Sequence, residues 1–242
     1  MIVIRPAIFP AGVTTGVSTR QGGVSPPPLG MNTSFHVGDE PRNVIENREL
    51  FLDSLGLSLL QLAIPGQVHG VRIQEAAKGG DYPETDGLIT RSKGVVLGVS
   101  VADCVPVLLF DPVQKAIAAV HSGWRGTAAN IVHHAVLSMI SSFSSSSQNL
   151  LAYIGPSASA CCYAVGSDVA RLFTPEFVRS ADGKTLLDLK GVVRSQLLAE
   201  GVLPDKIETS PHCTISEPAM FHSFRREREK AGRMLAVIAL TA

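Results

Sequence analysis

Between residues 41 and 60 the apolar side chains Val44, Ile45, Phe51, Leu52 and Leu55 recur at near-helical spacing. This predicts a helix, with Pro41 suited to its first turn and Gly56 to its stop. Further along, apolar residues run together instead of spacing out. Segments 95–101, 105–110 and 116–120 are rich in branched and small residues, and read as buried strands at the centre of a sheet. Helical periodicity returns over 127–143 and ends in Ser144-Ser145-Ser146-Ser147, which reads as a solvated loop. The pattern then predicts a strand at 150–154, helices near 165–173 and 188–200, and a final strand at 234–240. Near the start, a strand around 12–17 leads into a turn-rich surface loop, 18–30. After the Pro65-Gly66 turn, segment 67–73 alternates in character and predicts a short strand with His69 early in it. Mixed elements without an internal repeat indicate an α+β fold of layered sheets flanked by helices.

The chain has 242 residues, which fits one domain spanning 1–242. Charge adds little to the picture: 21 basic side chains balance 21 acidic ones, so no strong field draws the molecule to a nucleic-acid polymer or to a membrane. Arg5 and Pro6 interrupt the place where a signal-peptide core would run, and no apolar stretch reaches the roughly 18 residues needed to span a bilayer. A soluble, cytoplasmic protein is expected. Its four cysteines, Cys104, Cys161, Cys162 and Cys213, lack the spacing of a disulfide framework. Cys161 and Cys162 read as small buried side chains after a turn.

Candidate chemistry centres on strands 105–110 and 116–120. If Pro112-Val113 forms a two-residue hairpin loop, position i faces position 225 − i, and Cys104 lies opposite His121. Directly opposed residues have Cβ atoms roughly 4.5–5.5 Å apart, close enough for a thiolate and an imidazole to share one ion. His69, Cys104 and His121 supply the three protein ligands that a catalytic zinc uses, with a fourth position left for water or substrate. Two neutral imidazoles and one thiolate would leave such a site a net charge of about +1. Other readings stand beside this one. The histidines could be ordinary hydrogen-bonded residues, and Cys104 with His121 could be a metal-free nucleophilic pair. A closed structural site would need Cys161, Cys162 or Cys213 as its fourth ligand. Trp124-Arg125 could stack on a base and hold an anion, or simply pack as a lid. Gly98-Val99-Ser100-Val101-Ala102 superficially resembles a nucleophile elbow but lies inside a predicted strand, and both familiar glycine-rich nucleotide cradles are absent.

At Ala102-Asp103-Cys104-Val105-Pro106 and His121-Ser122-Gly123-Trp124-Arg125-Gly126 the chain closely resembles the YfiH family of purine nucleoside phosphorylases, also labelled laccase-domain or multicopper polyphenol oxidases. The resemblance runs almost end to end. It takes in Thr19-Arg20-Gln21-Gly22-Gly23-Val24-Ser25, Asn47-Arg48, Gln67-Val68-His69-Gly70, Asp86-Gly87-Leu88-Ile89-Thr90, Ile154-Gly155-Pro156-Ser157, Cys213-Thr214, Phe224-Arg225-Arg226 and Gly232-Arg233. It implies α, β, β, α layers and a zinc held by His69, Cys104 and His121. The implied activity is phosphorolysis of adenosine, inosine and methylthioadenosine, with adenosine deamination as a companion.

Within that implied site, Arg48 and Arg125 are candidates for holding phosphate or ribose oxygens of the purine nucleoside. Asp103 is a candidate acid-base group or a residue that orients the cysteine. Two departures stand out: Ala164 replaces the family's glutamate after Cys-Tyr, and His222 falls in its Phe-Phe-Ser-Tyr-Arg-Arg segment. The older label suggests copper-dependent phenol oxidation as an alternative, and copper could occupy the His-Cys-His set. Against several coppers stand a total of only seven histidines and the lack of any His-x-His pair. A zinc-stabilised, non-catalytic module is the remaining alternative.

Overall fold

The computed structural model describes residues 1–241. From the N-terminus come β1 (Val3–Ile4), β2 (Val13–Ser18), α1 (Pro41–Asp53), β3 (Leu62–Pro65) and β4 (Ile73–Glu75). Then follow β5 (Gly80–Tyr82), β6 (Gly87–Thr90), β7 (Val96–Val101), β8 (Val105–Asp111) and β9 (Ala116–Ser122). Helices α2 (Trp124–Ala128) and α3 (Ile131–Phe143) precede β10 (Leu151–Ile154), α4 (Ser167–Ala170), β11 (Val178–Ala181) and β12 (Lys184–Leu187). The chain closes with α5 (Leu189–Ala199), β13 (Ile207–Thr209), α6 (Phe224–Glu227) and β14 (Met234–Leu240).

Two mixed sheets stack face to face, in the orders β1-β2-β14-β7-β3-β5 and β13-β10-β8-β9-β6-β4. The side-chain period of two sorts each central strand between layers. Leu108 and Phe110 of β8 enter the core between the sheets with Ile117, Ala119, Leu97 and Ile238. Their neighbours Val107 and Leu109 turn the other way, against Val132, Val136 and Met139 of α3 and Val193 of α5. On the far side, Leu235 and Val237 of β14 meet Phe51 and Leu52 of α1. The result is the expected α-β-β-α layering, with every central strand buried on both faces.

Three expectations change. The strand over 95–101 and the strands over 105–110 and 116–120 do not share a sheet: β7 is central to one and β8-β9 to the other. Continuous apolar runs declare burial on both faces without naming the partner strand. The helix expected over 127–143 breaks at Asn130, which is left-handed (φ 58°) and whose side chain accepts the His133 N–H to start α3. The helix expected near 165–173 contracts to the single turn of α4. The stop of α1 is as expected: Gly56 takes φ 70°, and the Leu57 N–H returns to the Leu52 carbonyl at 2.9 Å. Among the described residues no helix is long and apolar enough to cross a membrane.

Candidate active site

The β8-β9 hairpin pairs Pro106 with His121 and Asp111 with Ala116. Its loop is therefore four residues long, 112–115, not the two expected. Asp111 causes the difference: its Oδ1 accepts the N–H groups of Val113 (2.8 Å) and Gln114 (3.1 Å), and Lys115 closes the turn in a left-handed conformation. The register shifts by two positions. Because side chains alternate with period two, Cys104 stays on the face of His121, diagonal to it instead of opposite.

His69 reaches the same point from a loop, not from a strand. Gln67 (φ 56°) and His69 (φ 62°) are both left-handed, which breaks the alternation before any pairing forms. The Gln67 amide bonds both the N–H and the carbonyl of Ser100, at 2.8 and 2.7 Å, so a side chain attaches this loop to β7. Asp86, fully buried just before β6, then fixes the loop: its carboxylate accepts the His69 N–H at 2.9 Å and the Gly70 N–H at 2.7 Å. The same carboxylate takes His121 Nδ1 at 2.9 Å. With Nδ1–H donated there, His121 Nε2 presents its lone pair toward the other two residues.

The ligating atoms of His69, Cys104 and His121 lie within 4.8 Å of one another. The two imidazoles meet edge to face with centroids 4.9 Å apart. Space here requires glycine at position 123, where a Cβ would sit 2.9 Å from His69 Cδ2 and 3.1 Å from Cys104 Sγ. Burial pushes the Cys104 thiol up, but the charge and hydrogen bond of His121, with His69 behind them, outweigh it and hold the thiol below its ordinary range. Burial presses His121 down, and Cys104 and Asp86 together lift it above its ordinary value. A metal ion at this point would take the place of the proton that Cys104 and His121 share. Two imidazole nitrogens and one thiolate fit a divalent metal with an open position, since His69 is exposed and, among the described residues, no fourth protein ligand joins the group.

That open side faces a cavity of about 570 Å³, lined by all three residues together with Arg48, Arg233, Phe35 and Phe224. Arg48 projects from α1; its Nε donates to the Thr33 carbonyl at 2.7 Å and its guanidinium lies 4.6 Å from the Phe35 ring centroid. Burial lowers its pKa to about 10 against the opposing pull of Asp81, which leaves it charged at neutral pH. Arg233 is tied to the carbonyls of Ala231 (2.6 Å) and Gly232 (3.1 Å), and its guanidinium lies 5.7 Å from the Phe224 ring centroid.

Other expected residues lie elsewhere. Arg125 is exposed in the first turn of α2, 4.3 Å from the Trp124 ring centroid, and does not line the cavity. Asp103 is buried and left-handed (φ 88°), and accepts bonds from Thr214 Oγ1 (2.7 Å), Ser223 Oγ (3.0 Å) and the Arg225 N–H (2.6 Å). Committed to those three donors, it shapes the turn that carries Cys104. Neither Ala164 nor His222 lines the cavity: Ala164 bridges to Leu186, and His222 is fully buried. Cys161 is exposed and Cys162 partly buried, contrary to expectation, and their turn faces the buried Cys213.

Asp86 and Arg233 were missed as functional residues. Asp86 stands 17 positions from His69 and 35 from His121, so no local spacing links it to either. Arg233 carries a weak signal, as a lone charge directly before an apolar strand.

The sequence profile of the family described as "Multi-copper polyphenol oxidoreductase laccase" matches residues 14–241. The purine nucleoside phosphorylase YlmD of Bacillus subtilis (strain 168) is 34% identical over 246 residues, covering 94% of this chain and 88% of that protein. Adenosine deaminase RL5, from an unknown prokaryotic organism, is 34% identical over 226 residues, covering 84% of each. The crystal structure of the Bacillus licheniformis hypothetical protein YfiH superposes with a TM-score of 0.90 at 34% identity, covering 94% of this chain and 92% of that one.

Proposed function

This chain belongs to the multi-copper polyphenol oxidoreductase laccase family, and on that premise we propose that it is a zinc-dependent purine nucleoside phosphorylase with adenosine deamination as a companion activity. One observation carries the reading: His69, Cys104 and His121 open together onto a cavity that also presents two guanidinium groups and two aromatic rings. A metal donor set, anion-binding cations and flat apolar faces are what phosphate and a purine nucleoside together require. The names of relatives that act as phosphorylases and as a deaminase support the same reading.

In this reading His69, Cys104 and His121 hold the ion, and Asp86 fixes the His121 tautomer and the His69 loop. Zinc bound there supplies Lewis-acid polarisation and acidifies water. Arg48 and Arg233 bind phosphate and orient one of its oxygens toward the anomeric carbon of the ribose. Phe35 and Phe224 flank the base and exclude water. A C–O bond to phosphate forms as the C–N bond to the base breaks, and the base takes up the proton that the attacking phosphate gives up, leaving ribose 1-phosphate. Fixed cations beside the separating charges lower the barrier. Adenosine, inosine and methylthioadenosine share the purine and the anomeric side of the sugar and enter alike, methylthioadenosine leaving its methylthio-sugar 1-phosphate. In deamination, water adds at C6 of adenosine and ammonia departs, leaving inosine. Asp103 acts as a positioning residue for the Cys104 turn, and Arg125 lies outside the site.

Copper fits the same three donors by affinity. Oxidation by several coppers would need further histidine clusters, and among the described residues only one candidate metal group contains histidine. The open cavity and the three-ligand group also argue against a purely structural ion. We further infer one catalytic domain over 1–242 and a cytoplasmic location, supported by four unpaired cysteines.

Metal analysis of the purified protein, combined with identification of the products from adenosine with and without phosphate, tests the reading. The expected result is zinc in the protein, with adenine and ribose 1-phosphate formed only when phosphate is present. Inosine as the sole product would reduce the activity to deamination, and turnover that survives complete removal of metal would overturn the assignment.

A further inference from the structure

A second convergence of sulfur lies outside the cavity. Cys161 and Cys162 are adjacent in a tight turn, in which the N–H groups of Cys162 and Tyr163 both return to the Ser159 carbonyl at 3.1 and 3.0 Å. That turn faces the segment starting at Cys213, which bridges in parallel to Ser157. The three sulfurs meet at 3.0 Å (Cys161 to Cys162), 3.3 Å (Cys162 to Cys213) and 3.6 Å (Cys161 to Cys213). None of the three residues lines the cavity that holds Cys104.

We propose that Cys161, Cys162 and Cys213 form a second metal site, a three-thiolate seat for a thiophilic divalent cation, zinc by charge balance, that ties two surface loops together. The proposal does not depend on the catalytic reading of the first site.

Geometry favours a metal over a disulfide. Thiolates bound to zinc at about 2.3 Å in a tetrahedral arrangement sit ~3.8 Å apart, so the observed sulfurs need part by only ~0.2–0.8 Å. A disulfide at about 2.05 Å would require one pair to close by ~1 Å or more, and would leave the third thiol without a role. Charge points to a divalent ion. Lys190 is buried on α5, its ammonium bonded to the carbonyls of Ser210 (3.0 Å) and His212 (2.8 Å), and Cys213, Asp188, Cys161 and Glu217 act on it through charge. Three thiolates leave one net negative charge on a divalent cation and two on a monovalent one; with the Asp188 and Glu217 carboxylates also facing the Lys190 ammonium, the smaller excess favours the divalent ion. Cys161 is exposed and offers the entry path.

The site also bears on the rest of the molecule. Thr214, next to Cys213, bonds both the Ser157 carbonyl at 3.1 Å and the Asp103 carboxylate at 2.7 Å. The Asp103 carbonyl in turn accepts the Ala158 N–H at 2.9 Å. An ion here would brace the loops that hold the Cys104 turn, so loading it should raise Tm.

Reduced, metal-free protein is titrated with cobalt(II) as a spectroscopic probe and, separately, with zinc followed by elemental analysis. The expected result is two ions per chain, one with the charge-transfer intensity of a single thiolate and one with that of three. Cys161→Ser, at an exposed position that tolerates exchange, and Cys162→Ser should each weaken the three-thiolate ion by more than the ~10–100-fold typical of outer partners of metal ligands, with nucleoside turnover retained. One ion with a single-thiolate signature, with Cys161, Cys162 and Cys213 still open to a thiol reagent, would overturn this proposal and leave the catalytic reading intact. One ion with only the three-thiolate signature would do the reverse. Retention of cuprous copper but not zinc would overturn the divalent assignment. A disulfide found by mass spectrometry in protein purified without reductant, and unaffected by zinc, would replace the site with a redox pair.

Discussion

Two trios of side chains in this molecule each bring their ligating atoms within 4.8 Å, and they differ in nearly everything else. His69, Cys104 and His121 mix nitrogen with sulfur, share a buried carboxylate and open onto a cavity of about 570 Å³ with two arginines in its wall. Cys161, Cys162 and Cys213 offer sulfur alone, from an exposed residue to a buried one, with a buried lysine and the carboxylates of Asp188 and Glu217 as the nearby charges. Convergence of donors marks where a cation is favoured; the vacancy beside it and the charges across that vacancy indicate whether chemistry can follow. The first trio has both, and the second is suited to bracing.

The largest effect that would separate them is Cys104→Ala. Loss of a Lewis acid worth several kcal/mol in the transition state should lower kcat/KM for phosphorolysis on the order of 10³-fold or more, while the three-cysteine ion stays bound. Equal loss of both ions would mean that the trios are one unit.

A buried histidine that is no ligand sharpens the contrast with His121. His222 is fully enclosed, and burial first, then Arg20, lowers its pKa to about 4, Glu227 opposing. Folded protein therefore keeps it neutral where unfolded chain, near 6.5, takes up a proton. Its stabilising share is complete above about pH 6.5 and declines as pH falls toward 4, by up to about 3 kcal/mol. His222→Phe should flatten chemical denaturation against pH across that window, and an unchanged slope would contradict the burial argument.

Asp86→Asn should weaken metal at the first trio by roughly 10–100-fold with no change at the second, read by chelator competition. In Arg48→Ala the KM for phosphate should rise on the order of 10-fold or more, as loss of a charge-assisted bond implies, with the nucleoside KM far less affected. Smallest is Arg125→Ala, an exposed residue stacked on Trp124, for which steady-state kinetics should show less than about a twofold change and stability should move within ~0.5 kcal/mol.

Sequence pattern reached far into this fold because its strands are buried on both faces. Runs such as 105–110 and 234–240 admit no other reading, and Pro41 and Gly56 mark both ends of α1. Sheet membership was out of reach, since Leu108 and Val107 are equally apolar although they serve different cores. At the site, Cys104 and His121 were legible through their hairpin even with its loop length misjudged, because a two-residue slip preserves the face. His69 was found by residue type and placed wrongly in a strand: two left-handed breaks, at Gln67 and His69 on either side of Val68, involve no glycine and leave no trace in the pattern. Asp86 escaped because its partners are remote in the chain. Arg125 was favoured by its place at a strand mouth, although α2 begins at Trp124 and leaves it exposed.

X-ray absorption at the zinc edge, recorded on Cys162→Ser protein so that the three-cysteine site contributes little, looks directly at the ion on which the account rests. It should show one sulfur at about 2.3 Å and two imidazole nitrogens at about 2.0–2.1 Å, with one further light atom in the open position. A shell with several sulfurs, or with no sulfur, would contradict a cation held by His69, Cys104 and His121.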